Sequence, residues 1–212
     1  MNQPVATLTF QQASSRLQQM MQGPTRTIVG IIGPPGSGKS TLSQRLQALH
    51  PERSQIVPMD GYHLANVELA RLGRAGRKGA PDTFDSYGYV SLLKRLRQQG
   101  ADETVYAPEF RREIEEPIAG AIPIFPLAHL LIAEGNYLAL DQGGWSQVAA
   151  LLDEIWYVEV DPALRHARLV ARHMQFGRSR QEAEDWVQNT DEPNARLIAS
   201  TLNRVQFKVL VD

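Results

Sequence analysis

The chain alternates short apolar runs with stretches in which apolar residues recur three and four positions apart. Between Phe10 and Met21, the residues Phe10, Ala13, Leu17, Met20 and Met21 fall at helical spacing among glutamines, and Gly23-Pro24 breaks the pattern. This predicts a leading helix. Thr27-Ile-Val-Gly-Ile-Ile32 is almost wholly apolar and runs into a Gly/Pro cluster, as a strand buried on both faces of a parallel sheet does. Residues 40–50 read as helix closed by Pro51, and residues 55–59 as a second strand ending at Asp60-Gly61. Three more apolar, β-rich runs follow at 127–133, 154–160 and 205–211. Strands alternating with helical segments predict an α/β fold with a doubly wound, mostly parallel five-stranded sheet.

Between Gly61 and Phe125 the pattern loosens. A glycine-rich basic loop (Arg71-Leu-Gly-Arg-Ala-Gly-Arg-Lys-Gly79) precedes a helix over Tyr87–Gln99 and proline-rich extended segments around Val105 and Ile122. Residues 61–125 are therefore expected to be an insertion carrying acceptor contacts. With 212 residues, 42% of them apolar and 21% charged, the chain fits one α/β domain and neither a disordered nor a fibrous class. A formal net charge of -1 gives no global attraction to nucleic acid or acidic lipid, so neither is expected as a partner. Cysteine is absent, which removes disulfides, thiolate metal sites and a cysteine nucleophile. The first residues lack a signal-peptide pattern and no apolar run reaches bilayer-spanning length, so the expected compartment is the cytoplasm.

Gly33-Pro-Pro-Gly-Ser-Gly-Lys-Ser40 satisfies G-x-x-x-x-G-K-[ST] directly after a strand and at the start of a helix. The glycines let successive backbone N–H groups point into one concavity, and the helix adds the positive end of its dipole. Gly33, Gly36, Ser37, Gly38, Lys39, Ser40 and Thr41 are the expected nucleotide-binding set, with Lys39 reaching the β- and γ-phosphates and Ser40 supplying a hydroxyl to magnesium. The expected cofactors are thus ATP and Mg2+. Asn-Lys-x-Asp, the base-reading segment of guanine-nucleotide switches, is missing, as is the signature motif of transporter ATPases.

Two carboxylates end strands beside this loop. Asp60 closes the second predicted strand, where it would project towards the γ-phosphate and accept or hold the proton of an attacking hydroxyl. Glu134 ends Leu130-Leu-Ile-Ala-Glu134, the position of an acid that orients magnesium or its waters.

Together, Gly33–Ser40, Met59-Asp-Gly-Tyr-His63, Arg77-Lys-Gly-Ala-Pro-Asp-Thr-Phe-Asp85, Tyr106-Ala-Pro-Glu-Phe-Arg-Arg112, Glu134-Gly-Asn-Tyr137 and Asp191-Glu-Pro-Asn194 resemble the phosphoribulokinase, uridine kinase and pantothenate kinase family. The resemblance runs from Gly30 to about Ile198 and is closest to the branch labelled fructose-transport-system or nucleoside-kinase-like. It implies a P-loop NTPase three-layer sandwich and phosphoryl transfer from ATP to a hydroxyl of a small metabolite such as a sugar, a nucleoside or pantothenate. Asp60 matches the catalytic carboxylate and Glu134 the acid near magnesium. The acceptor is expected at Asp60, Tyr62, His63, Lys78, Asp85, Tyr106, Arg112 and Asn136, all in matched segments. Arg111 stands where the pattern has an acidic residue.

After Val160-Asp-Pro162, a predicted helix carries Arg165, Arg168 and Arg172 at i, i+3 and i+7, hence on one face. Residues 162–190 resemble the family's helical lid, and Arg168 and Arg172 are expected to join Asp60 and Lys39 as catalytic residues, absorbing charge on the transferring group. Arg71, Arg74, Arg77 and Lys78 would either grip an anionic acceptor or lie in a solvated loop. Asp85 also suits a helix N-cap, and Asp191 and Asn194 would either contact adenine or cap a helix, capping being the better reading. His63 and His173 lack partners at metal-ligand spacing. Trp145, Trp156 and Trp186 read as packing residues. Two other functions fit the loop alone: a nucleotide-dependent metabolite sensor, and a P-loop ATPase acting with a protein partner. A homodimer is the default assembly for a small enzyme.

Overall fold

The computed structural model describes residues 5–211. In chain order the elements are β1 (Ala6–Leu8), α1 (Phe10–Met20), β2 (Thr27–Ile32), α2 (Lys39–Gln47), β3 (Ser54–Pro58), α3 (Asn66–Arg71), α4 (Ser86–Arg97), β4 (Val105–Arg111), β5 (Glu116–Ile124), β6 (Leu130–Glu134), β7 (Glu154–Glu159), α5 (Pro162–Gln175), α6 (Arg180–Trp186), α7 (Glu192–Ala199) and β8 (Phe207–Leu210). Six strands form one parallel sheet in the order β1-β8-β7-β2-β6-β3. The strand beyond the five expected is β1, whose three residues pair with β8 at the sheet edge.

The glycine-punctuated strand β2 lies at the centre, every residue buried. Its side chains alternate between the two faces of the sheet. Ile28 and Ile32 join one apolar cluster with Leu93, Tyr137 and Leu138, while Val29 and Ile31 join another with Leu17, Leu42 and Trp156. Each fully buried aliphatic side chain of this kind contributes about 1.5–3 kcal/mol. Because both faces are covered, the architecture is a three-layer α/β sandwich, and the apolar runs of the sequence are the strands of its middle layer.

The proline-rich segments pair with each other as an antiparallel hairpin, β4 against β5, with a register shift between Ala107 and Glu109. There the Pro108 carbonyl presses on Gly61: a Cβ on Gly61 would stand 2.1 Å from that oxygen. The hairpin is thereby seated against the short 3-10 helix Met59–Tyr62 that follows β3. No helix among the described residues is long and apolar enough to cross a membrane.

Candidate active site at the carboxyl edge of the sheet

The chain runs from β2 to β3 past the place taken by β6, so a crevice opens beyond the carboxyl ends of these three strands. The phosphate-binding loop, the Asp60 turn and Glu134 close it from three sides. Gly36 and Gly38 adopt φ of 77° and 90°, conformations that side chains disfavour. At Gly36 the constraint is double, since a Cβ would also lie 2.8 Å from Leu169 of α5. Gly38 then caps α2 in the left-handed region, leaving the first N–H groups of that helix aimed at the crevice.

Lys39 is buried, and its Nζ donates to the carbonyl of Pro34 at 3.2 Å. Burial pulls its pKa down, against the opposing pull of the Glu134 and Asp60 carboxylates. Burial raises the Glu134 pKa, which Lys39 opposes. The Ser40 hydroxyl donates to Glu134 Oε2 at 3.2 Å, and Arg112 reaches Asp60 Oδ2 at 3.4 Å from the hairpin. Across the opening, Arg168 and Arg172 descend from α5 with no carboxylate partner among the described residues. Burial and the neighbouring Arg112 lower the pKa of Arg172. A cleft of about 770 Å³ thus gathers two arginines without carboxylate partners beside a ring of helix-terminal N–H groups, a setting that suits an anion.

Of the residues expected from sequence, Gly36, Gly38, Lys39, Ser40, Thr41, Asp60, His63, Lys78, Arg112, Glu134, Asn136, Arg168 and Arg172 line this cleft. Five do not. Gly33 and Ser37 lie beneath the loop, where a Cβ on Gly33 would meet Ser37 Oγ at 2.7 Å. Tyr62 turns away to pack edge-on against Tyr89, with ring centroids 5.4 Å apart. Asp85 is an N-cap, accepting from the Gly88 N–H at 2.8 Å. Tyr106 projects from the outer face of the hairpin and is 58% exposed. Arg111 points outward as well, pairing with Glu109 on its own strand.

Residues 162–199 correct other expectations. Arg165 does not share the open face of its helix; it is buried against Glu192. Helix α6 continues through a single π-helical turn, Val187–Asp191, into α7, so there is no helix start for Asp191 or Asn194 to cap. Asp191 instead accepts from His173 Nε2 at 2.8 Å, and Asn194 donates to the Gly79 carbonyl at 3.4 Å. Trp186 is a wall of the cleft rather than a core residue, with the Arg178 guanidinium 3.7 Å from its ring centroid. Trp145 and Trp156 are buried, as expected of packing residues.

A parallel sheet, a strand-loop-helix phosphate cradle and two strand-end carboxylates define a P-loop nucleoside-triphosphate-binding protein. No family model matches the chain. An Aspergillus versicolor protein named ATP-dependent kinase-like protein notR' is 41% identical over 161 residues, 72% of this chain and 92% of that protein. A Schizosaccharomyces pombe protein with the provisional name uridine kinase C227.14 is 34% identical over 192 residues, 86% of this chain and 81% of its own. Among solved structures, a provisionally named fructose transport system kinase from Silicibacter superposes with a TM-score of 0.83 at 37% identity, covering 92% of this chain and 97% of that one. YFH7 of Saccharomyces cerevisiae shares the fold, with a TM-score of 0.78 at 19% identity over 95% of this chain and 97% of its own. The chain belongs to the P-loop kinase family that groups phosphoribulokinase, uridine kinase and pantothenate kinase, and it is an ATP-dependent kinase.

Proposed function

We propose that this kinase transfers the γ-phosphoryl group of ATP to a hydroxyl of a small metabolite. The observation that carries the proposal is the placement of the Asp60 carboxylate in the same cleft as Lys39 and the Ser40–Glu134 pair, with Arg112 beside it. Gly36, Gly38, Lys39, Ser40 and Thr41 hold the polyphosphate. Lys39, already inside the loop, neutralises charge on the β- and γ-phosphates without paying for movement. Arg168 and Arg172 stabilise the developing charge from the α5 side, which is the role proposed for residues 162–190 as a lid. Asp60 orients the acceptor hydroxyl in line and takes its proton.

The paired oxygens of Ser40 and Glu134 suit a hard cation, so these two residues fit magnesium. Held by Ser40 and Glu134, the ion would supply neutralisation of the charge on the nucleotide's phosphates. The acceptor side is bounded by residues 61–125, of which His63, Lys78 and Arg112 line the cleft, together with Asn136.

Asp60→Asn tests the proposal directly. It leaves ATP affinity near that of the parent and lowers acceptor-dependent ADP release about 10²–10⁴-fold. Parental turnover in this variant would remove Asp60 from the mechanism and with it the assignment of the cleft.

A further inference from the structure

The acceptor end of the cleft is distinguished by how its charges are committed. Arg71 of the basic loop pairs with Glu68, and Arg77 with Asp82; Arg74 bonds the Asp82 carbonyl at 2.7 Å and lies 3.4 Å from its carboxylate. None of the three lines the cleft. Lys78 does, but its ammonium donates to Asn66 Oδ1 at 2.7 Å and to the Glu115 carbonyl, bolting the hairpin turn to the start of α3. Arg178 is stacked on Trp186 and shares an edge with His173. The carboxylates of Glu113, Glu115 and Asp191 line the same end. Arg168 and Arg172, which have no carboxylate partner among the described residues, are assigned above to the transferring phosphoryl group, and Arg112 lies 3.4 Å from Asp60. A second anionic group brought here on the acceptor would therefore meet these acids and would have to compete for a cation already engaged.

His63 supplies the complementary group. Its ring lies between Phe84 and Phe110, with centroids 4.0 Å and 4.4 Å away, and its Nδ1 is 2.7 Å from the Asp60 carbonyl oxygen. A carbonyl only accepts, so Nδ1 carries the proton. Burial lowers the His63 pKa, with Lys78 and Arg112 acting in the same sense and Asp60 against them. The ring is therefore neutral, and Nε2, for which no described residue provides a partner, is a bare acceptor on a residue that lines the cleft three positions from Asp60.

We infer that the acceptor is an uncharged polyhydroxyl compound, and that His63 Nε2 takes a hydrogen bond from a second hydroxyl while Asp60 holds the reacting one. This rests on the phosphoryl-transfer reading above and narrows its substrate class. His63 is a specificity-determining residue in this scheme, and it exchanges no proton with the reacting group. A site whose buried acceptor matches a substrate hydroxyl rejects the analogue lacking it.

The test uses the whole chain with ATP, magnesium and matched acceptors: panthenol against pantothenate, glycerol against D-glycerate, sorbitol against D-gluconate, and uridine against 2′- and 3′-deoxyuridine. The expected result is ADP release with neutral polyols at a kcat/KM at least about tenfold above that of their carboxylate counterparts, the discrimination expected of an imperfectly matched polar site. His63→Phe, which keeps the stacked ring and removes the acceptor atom, raises the acceptor KM by a similar factor, and the penalty vanishes on the deoxy compound that lacks the matching hydroxyl. His63→Gln, whose Oε1 lies near the position of Nε2, recovers part of the loss. A preference for the carboxylates, or an equal His63→Phe penalty on hydroxy and deoxy acceptors, overturns the inference and leaves the kinase reading standing. Lys39-dependent ADP release that no member of the panel stimulates counts against the small-hydroxyl reading itself, and the inference falls with it.

Discussion

The Ser40 hydroxyl donates to a Glu134 carboxylate oxygen at 3.2 Å, joining the first turn of α2 to the last residue of β6. The two oxygens belong to different elements and are held together by the parallel pairing of β2 with β6, in which Ile31 faces Glu134. Since both would serve one ion, Ser40→Ala and Glu134→Gln are expected to weaken magnesium–ADP binding in a coupled way. The double variant should lose less than the sum of the singles, with a coupling of about 0.5–3 kcal/mol by titration calorimetry. Additive losses would mean that the residues act apart.

Gly61 is a second point of dependence. A Cβ there would stand 2.1 Å from the Pro108 oxygen and 2.6 Å from its carbonyl carbon, both backbone atoms that can yield only by moving the hairpin. Gly61→Ala is expected to cost about 1–3 kcal/mol in urea unfolding, as overpacking does. It should also reduce kcat/KM for the acceptor while ATP affinity holds, because Arg112 rides on the displaced hairpin. A loss of stability with no change in acceptor kinetics would detach the hairpin from the acceptor wall.

The pH response of His63 follows from its setting. Its folded pKa lies below the ordinary 6.5, with burial as the main cause, so the fold favours the neutral ring. A group of this sign contributes stability above about pH 6.5 and loses it as pH falls through the folded value. Ring resonances followed by NMR should titrate with a midpoint below 6.5. Denaturation midpoints should fall between pH 7 and pH 5 more steeply in the parent than in His63→Gln, and a midpoint at or above 6.5 would contradict the neutral assignment.

Much of the site was legible because its parts are local. The phosphate loop is eight consecutive residues, and Asp60 and Glu134 sit where apolar runs stop, which in a parallel sheet is one edge of the molecule. Strand β1 was not legible, since three residues at an edge with two of them exposed carry no apolar run. Asp85 and Tyr106 lie in family-like segments but face away from the cleft, a matter of side-chain direction on a helix cap and a hairpin. The bond from His173 to Asp191 spans 18 residues and depends on a π turn that no residue pattern announces. Asp191-Glu-Pro resembles a helix start, and the proline does occupy the first turn of α7, but the backbone was already helical before it.

That turn sets how the arginine-bearing helices can move. From Arg180 to Ala199 the chain is helical throughout, with no intervening loop, and Ile198 at the far end is anchored in the core. Arg165 is clamped to Glu192 just beyond the π turn. Helices α6 and α7 therefore form one continuous rod through Val187–Asp191, and its far end is gripped inside the protein. A displacement of α6 would be felt at Asp191, and through it at His173.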